Sequence, residues 1–242
     1  MKFLRFMLPF AFLIYLYRET DYLNNLLFRE NLDPLFSGLE FKVFATQPAL
    51  LFASRWHSDI IAELMYFGYF SYYFMAFGVP LIIFYKKDML LGSKVAFVII
   101  CSFMIYYIIF IIFPVGGPKF FFAQSDSPLP KGYIFGPIMR IIERYGEGAT
   151  AAFPSSHVGV CLLLIWFAFR YYRKVLYFLI PISVLLILST IYLRAHYIID
   201  LIAAVVVTPL MLFSTKRIYR FLNQIFAGEQ ILLLNNYEAR DY

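Results

Sequence analysis

Two of the three histidines in this 242-residue chain stand where their neighbours suit acid–base and nucleophilic work. His157 closes the stretch "FPSSH", and His196 and Asp200 fall in "RAHYIID". The i, i+4 spacing of His196 and Asp200 puts both on one face of a helix. A carboxylate that accepts from one imidazole nitrogen fixes the tautomer and leaves the other nitrogen free as nucleophile or base. Asp200 lies within an apolar run, where an ionisable group is costly and therefore a functional candidate. The plainer alternative is a buried polar pair that only ties helices together. In the first stretch Pro154 suits the entry to a helix, and Ser155 or Ser156 can cap it. The free first-turn N–H groups and these hydroxyls form an anion site. His157 stands beside it, able to give a proton to a leaving oxygen. Taken alone, this stretch is more simply a helix cap with an interfacial histidine.

Two cations fall near these stretches. In "FPVGGPKFFF", Gly116, Gly117 and Pro118 shape a tight loop, and Lys119 is the first cation after an apolar run. It is either a point charge for a phosphate or a snorkelling interfacial lysine. Arg194 is a second phosphate candidate, or a solvated loop charge. A cationic pocket, a helix N-terminus, a nucleophilic imidazole and an acidic imidazole are the parts that move a phosphoryl group without a metal. Two histidines and an aspartate are also zinc ligands in principle, but the anion site argues for phosphate. No metal or other cofactor is expected. His57, beside Trp56, reads as part of an interface belt and stays outside the site.

The elements that position these residues are greasy. The chain is 62% hydrophobic and 15% charged, whereas soluble domains are about half apolar and a quarter charged. Several apolar runs reach about 20 residues, enough to cross a bilayer. The expected fold class is an all-α, polytopic membrane bundle of six transmembrane helices. These run from Phe3 to Tyr17, Ile60 to Tyr85, Val95 to Phe113, Ser156 to Tyr172, Val175 to Leu193 and Tyr197 to Ser214. One membrane domain covers 1–242: a first span (1–17), an interfacial segment of short amphipathic helices (18–58), a five-span core (60–214) and a cytoplasmic tail (215–242). A polar loop rich in Pro and Gly, 114–153, interrupts the core. "ILLL" in the tail is expected to pack on the protein or the interface. Tyr15, Leu16 and Tyr17 replace the small residues of a cleavage site, so the N-terminus reads as an uncleaved span. Cys101 and Cys161 sit inside apolar runs and read as small buried hydrophobes.

The net charge of +6 does not point to nucleic acid. Its basic residues cluster between spans: Lys2 and Arg5; Lys86, Lys87 and Lys94; Arg170, Arg173 and Lys174; Lys216, Arg217 and Arg220. With six spans all four clusters share one side, which the positive-inside rule makes cytoplasmic. Both termini are then cytoplasmic. His157, His196 and the 114–153 loop meet on the extracytoplasmic face, in an order Lys, Ser-His, Arg-His-Asp.

That order resembles the type-2 phosphatidic acid phosphatase superfamily, which includes vanadium haloperoxidases and some sphingolipid phosphotransferases. The family's second motif, P-S-G-H, corresponds to Pro154-Ser155-Ser156-His157, with serine for glycine. Its third, S-R-x5-H-x3-D, corresponds to "STIYLRAHYIID", Ser189 to Asp200, with Thr190 at the arginine position. Its first, K-x6-R-P, survives only as Gly116-Gly117-Pro118-Lys119, with Asp126 where the arginine would fall. The resemblance spans roughly Pro114 to Ala204. It implies that His196 attacks phosphorus to form phosphohistidine, Asp200 orients it and His157 protonates the leaving alcohol. Lys119, Ser155, Ser156 and Arg194 are the candidates to hold the phosphate oxygens. Arg194 replaces the lost bidentate contact only if its stretch is not helical. Sphingolipid phosphotransferases of the superfamily also lack that arginine and keep His-Tyr-x-x-Asp, as His196-Tyr197-Ile198-Ile199-Asp200 does here.

The resemblance implies a metal-independent lipid phosphatase, acting on a lipid phosphomonoester or diphosphate among membrane lipids. The alternatives are a lipid-headgroup phosphotransferase of the inositol phosphorylceramide synthase type and a non-catalytic protein on the same scaffold. Gln124, Ser125, Asp126 and the tyrosines of the second span are candidate acceptor contacts. The Phe- and Tyr-rich spans hint at a bacterial inner membrane. The sequence leaves the lipid, the acceptor and the oligomeric state open.

Overall fold

An apolar run buried in protein or lipid has to satisfy its own backbone groups, and a helix does so within one segment. In the computed structural model of the protein, every regular element among the described residues is a helix. The structure describes residues 2–24, 26–124, 128–146 and 148–226. Ser125, Asp126 and the tail's "ILLL" lie outside them.

Helix α1 (Lys2–Leu23) runs along α5 (Met89–Ile112). Two further helices precede the first long span: α2 (Asp33–Phe44) and α3 (Pro48–Arg55). That span, α4 (Asp59–Lys86), turns into α5 at Asp88, whose Oδ1 accepts from the N–H of Leu90 at 2.7 Å and of Leu91 at 2.9 Å. This is an ordinary N-cap. Helix α8 (Ser156–Tyr171) leads through a short turn to α9 (Leu176–Tyr192), and α10 (Ile198–Phe226) closes the bundle. Helix α4 packs along α9, and α8 lies between α9 and α10. The α4–α9 approach depends on Gly68, where an added Cβ would lie 2.7 Å from Leu185 Cγ. Small residues at such crossings let helix backbones come close. Tyr72, Val79, Ile83, Ile99, Tyr106, Phe110, Leu164 and Leu186 fill the centre. Phe178, Val206 and Leu210 stay exposed, as on a lipid-facing surface.

Four helical stretches are long and apolar enough to cross a membrane: Asp59–Lys86, Met89–Ile112, Arg173–Tyr192 and Ile198–Ile225. Four of the expected six spans are matched by these; the first and fourth are not. Helix α8, with 16 residues, is about 24 Å long at 1.5 Å per residue, short of a hydrocarbon core of about 30 Å. Helix α1 has 22 residues but carries Arg18, Glu19 and Asp21 in its last turns.

The 114–153 stretch differs from expectation. It holds α6 (Pro118–Phe121) and α7 (Phe135–Gly146) rather than loop alone. Phe135, Met139 and Ile142 recur at helical spacing and pack against α4 around Tyr66 and Tyr69. Glu63 of α4 fixes the start of α7, accepting from the N–H of Tyr133, Ile134 and Phe135 at 2.7, 2.8 and 2.8 Å.

Candidate active site

The N-termini of α8 and α10 meet. Ser155 is the N-cap of α8: its Oγ accepts from Val158 N–H at 3.3 Å, and its own N–H donates to the Asp200 carbonyl at 3.1 Å. That pair of contacts sets His157, in the first turn of α8, against the loop that carries His196. Nδ1 of His157 lies 3.1 Å from Nε2 of His196. The His157 ring packs between Tyr69 and Tyr72 of α4, at centroid distances of 4.6 and 4.3 Å. Tyr72 donates to the Ser156 carbonyl at 3.3 Å.

Hydrogen bonding assigns the tautomers. His196 Nδ1–H donates to the Ala152 carbonyl at 2.8 Å, since a carbonyl only accepts. Nε2 of His196 then carries a lone pair, and His157 Nδ1–H donates to it. Asp200 Oδ2 stands farther away, 3.5 Å from His196 Nδ1, and accepts from the Tyr197 N–H at 2.8 Å. The expected orienting role of the carboxylate is therefore divided: the backbone carbonyl takes the hydrogen bond and the carboxylate supplies charge beside it. The geometric reason is that α10 begins at Ile198, so His196 and Asp200 are not a pair within one helix.

The end of α9 explains why. Ala195 N–H donates to Thr190 O at 2.9 Å and Arg194 N–H to Ile191 O at 3.0 Å, with Arg194 at φ 61°. This is a Schellman ending with arginine at the left-handed position where glycine is usual. The backbone strain of a non-glycine residue there falls at the candidate site. Residues 193–197 are consequently not helical, the condition the sequence set for Arg194 to take part. Arg194 is buried, and burial lowers its guanidinium pKa below the ordinary value, partly offset by Tyr192 and Tyr66.

Lys119 joins the same region through its backbone: its N–H donates to Arg194 O at 2.7 Å. Gly117, at φ 91°, permits this approach, because a Cβ there would lie 2.5 Å from the Ala195 carbonyl oxygen. The Lys119 ammonium pairs with Glu143 of α7 at 2.7 Å. Thr190 is fully buried and its hydroxyl donates to Ile187 O at 2.7 Å, so this position presents nothing to a ligand. Among the described residues, no three His, Cys, Asp or Glu side chains converge as metal ligands.

The structure thus brings His157, His196, Asp200, Ser155, Arg194 and Lys119 into one region from three separate stretches. Sequence reasoning missed the Ala152 carbonyl and Glu143, and it named the tyrosines of the second span as acceptor contacts, where Tyr69 and Tyr72 instead flank His157. The heptad-like spacing of α7 was a readable signal for Glu143; a carbonyl in an irregular segment leaves none.

The fold and site together define a helical bundle with membrane-length helices, in which two imidazoles and an acid stand where two helix starts converge. The chain belongs to the PAP2 superfamily, whose profile matches residues 36–213. It is also similar to a PA-phosphatase related-family protein of Dictyostelium discoideum, 22% identical over 188 residues, or 69% of this chain. The chain spans 34% of that relative's length. No solved structure matches. Membership of the superfamily points to phosphatase-type activity.

Proposed function

We propose that the protein is an integral membrane lipid phosphatase that works through a phosphohistidine, with its site at the extracytoplasmic face. The observation that carries this is the 3.1 Å contact between His157 Nδ1 and His196 Nε2, with the remaining His196 nitrogen held by Ala152 O. A nucleophile and a proton donor within near-contact distance need little further ordering. The lipid phosphate enters between the two rings and replaces their mutual hydrogen bond. With the anionic phosphate bound, His157 acts as an imidazolium: the His196 Nε2 lone pair attacks phosphorus, the P–O bond to the lipid breaks, and the imidazolium gives one proton to the departing oxygen and is left as neutral imidazole. Charge grows on the His196 ring as the P–N bond forms, and Asp200 offsets it. His157 then takes a proton from water, the resulting hydroxide attacks phosphorus, the P–N bond breaks, and phosphate leaves. Lys119, Arg194, the Ser155 and Ser156 hydroxyls and the first-turn amides of α8 hold the phosphate oxygens. Lys119 must exchange Glu143 for the substrate to do so.

The orientation is supported by the opposite ends of the helices. Lys87 lies over Tyr172 at 5.5 Å, Lys94 over Tyr219 at 5.4 Å and Lys216 over Trp166 at 4.7 Å. Basic residues of two clusters thus gather at the ends away from the histidines, as a cytoplasmic rim would.

Transfer to an alcohol acceptor is the second reading, favoured by Thr190. The buried threonine offers no phosphate contact where hydrolases of the superfamily carry arginine, and its transferases lack that arginine too. Purified protein given several lipid phosphates, with and without alcohol acceptors, separates the readings. Hydrolysis releases phosphate that His196→Ala abolishes. Dominant headgroup transfer selects the second reading. Neither product, together with no binding of orthovanadate, leaves a non-catalytic scaffold.

A further inference from the structure

Helix α2 presents two acidic side chains, Asp33 and Glu40, 3% and 2% exposed, to the backbones of the loops that build the site. Asp33 Oδ2 accepts from Gly116 N–H at 2.8 Å, and Oδ1 accepts from Gly117 N–H at 2.8 Å and from the Tyr197 hydroxyl at 3.0 Å. Glu40 Oε1 accepts from the N–H of Ile198, the first residue of α10. Asp33 therefore touches the residues just before Lys119 and the residue just after His196. It also lies outside the segment 36–213 that the superfamily profile matches.

We infer that Asp33 is a positioning residue, a strap that fixes the Lys119 loop in register with the His196 loop so that the phosphate-holding cation and the nucleophile face one point. The inference rests on reading this region as a phosphate site. An acid so close to a phosphate would ordinarily repel it. Here its oxygens are taken up by three donors, and the two glycine amides are turned toward Asp33 rather than toward a ligand. Both glycines are buried, and a buried N–H left without a partner is destabilising. Removing Asp33 thus frees the loop to seek other partners. The same loop makes the close passage of Gly117 past Ala195 O and the bond from Lys119 N–H to Arg194 O. Both are contacts that transmit a shift of one loop to the other.

The test is orthovanadate affinity of the purified full chain, with lipid phosphate turnover alongside. Asp33→Asn is expected to weaken vanadate binding at least tenfold and raise KM more than it lowers kcat. Tyr197→Phe removes one donor only, keeps the fold, and is expected to weaken binding about threefold. The double variant is expected to match Asp33→Asn, since both changes act on Oδ1. Gln47→Ala is the structural control. It releases α2 from the bonds of Gln47 to Ser37 O and Oγ, at 3.0 and 2.9 Å, without touching either loop, and is expected to bind vanadate normally. Wild-type affinity in Asp33→Asn, or an equal loss in Gln47→Ala, overturns the strap while vanadate binding that depends on His196 leaves the phosphate reading intact. No vanadate binding by the wild type overturns both.

Discussion

Asp200→Asn probes the division of labour around His196. The carboxylate stands 3.5 Å from Nδ1, while the Ala152 carbonyl at 2.8 Å takes the hydrogen bond. Asparagine keeps an oxygen for the Tyr197 N–H and leaves the Ala152 bond untouched, so the tautomer survives. What disappears is a negative charge beside a ring that becomes positive as the P–N bond forms. At 3.5 Å and an effective dielectric constant near 20, that charge is worth at most about 5 kcal/mol. The asparagine dipole and the relief of burying a charge return part of this. A net loss of about 3 kcal/mol is expected, or about 100-fold in kcat. The assay is single-turnover release of lipid alcohol in detergent, beside His196→Ala. A loss under tenfold would show that the carboxylate charge is idle in the reaction. A loss equal to that of His196→Ala would show that the carboxylate, not Ala152, sets the tautomer. Either result refutes the argument.

Three further outcomes are expected. Burial raises the Glu40 carboxyl from 4.5 to about 7, against the lowering effect of the Ile198 N–H and with a smaller raising effect from Asp200. A raised folded-state acid binds a proton more tightly folded than unfolded, so its favourable contribution is present below about pH 4.5 and is lost as pH rises through about 7. Glu40→Gln should flatten that decline in Tm between these pH values, and an unchanged decline would count against it. Glu143→Gln releases Lys119 from its 2.7 Å pair. Vanadate should then bind about three- to tenfold tighter, as measured by calorimetry, because the partly exposed pair is worth only about 1 kcal/mol. Gly117→Ala places a Cβ 2.5 Å from Ala195 O at φ 91° and should destabilise by about 2 kcal/mol or more, visible as a lower Tm.

Much of the scaffold could be read from the chain because a bilayer leaves few choices. Apolar runs of sufficient length become helices, and four of the expected spans have that length and composition. Ser155 caps α8 where a serine after proline was expected to, and His157 follows in the first turn. These are local rules. They act within a few residues of one another, and the side chains themselves carry the signal.

Local rules did not reach the partners of those side chains. That Ala152 O holds His196, that Glu143 holds Lys119 and that Asp33 gathers two loops are matters of residues about 24 to 164 positions apart in pairing. The i, i+4 spacing of His196 and Asp200 suggested a helical pair. The Schellman turn at Arg194 instead delays the helix until Ile198 and hands the hydrogen bond to a carbonyl. The sequence by itself determined which residues are candidates for chemistry and which runs are long and apolar enough to cross a membrane, because both follow from residue type and short-range periodicity. Which donor meets which acceptor was decided only by the packing of α2, α7, α8 and α10, because a hydrogen bond depends on distance and angle in space and not on separation along the chain.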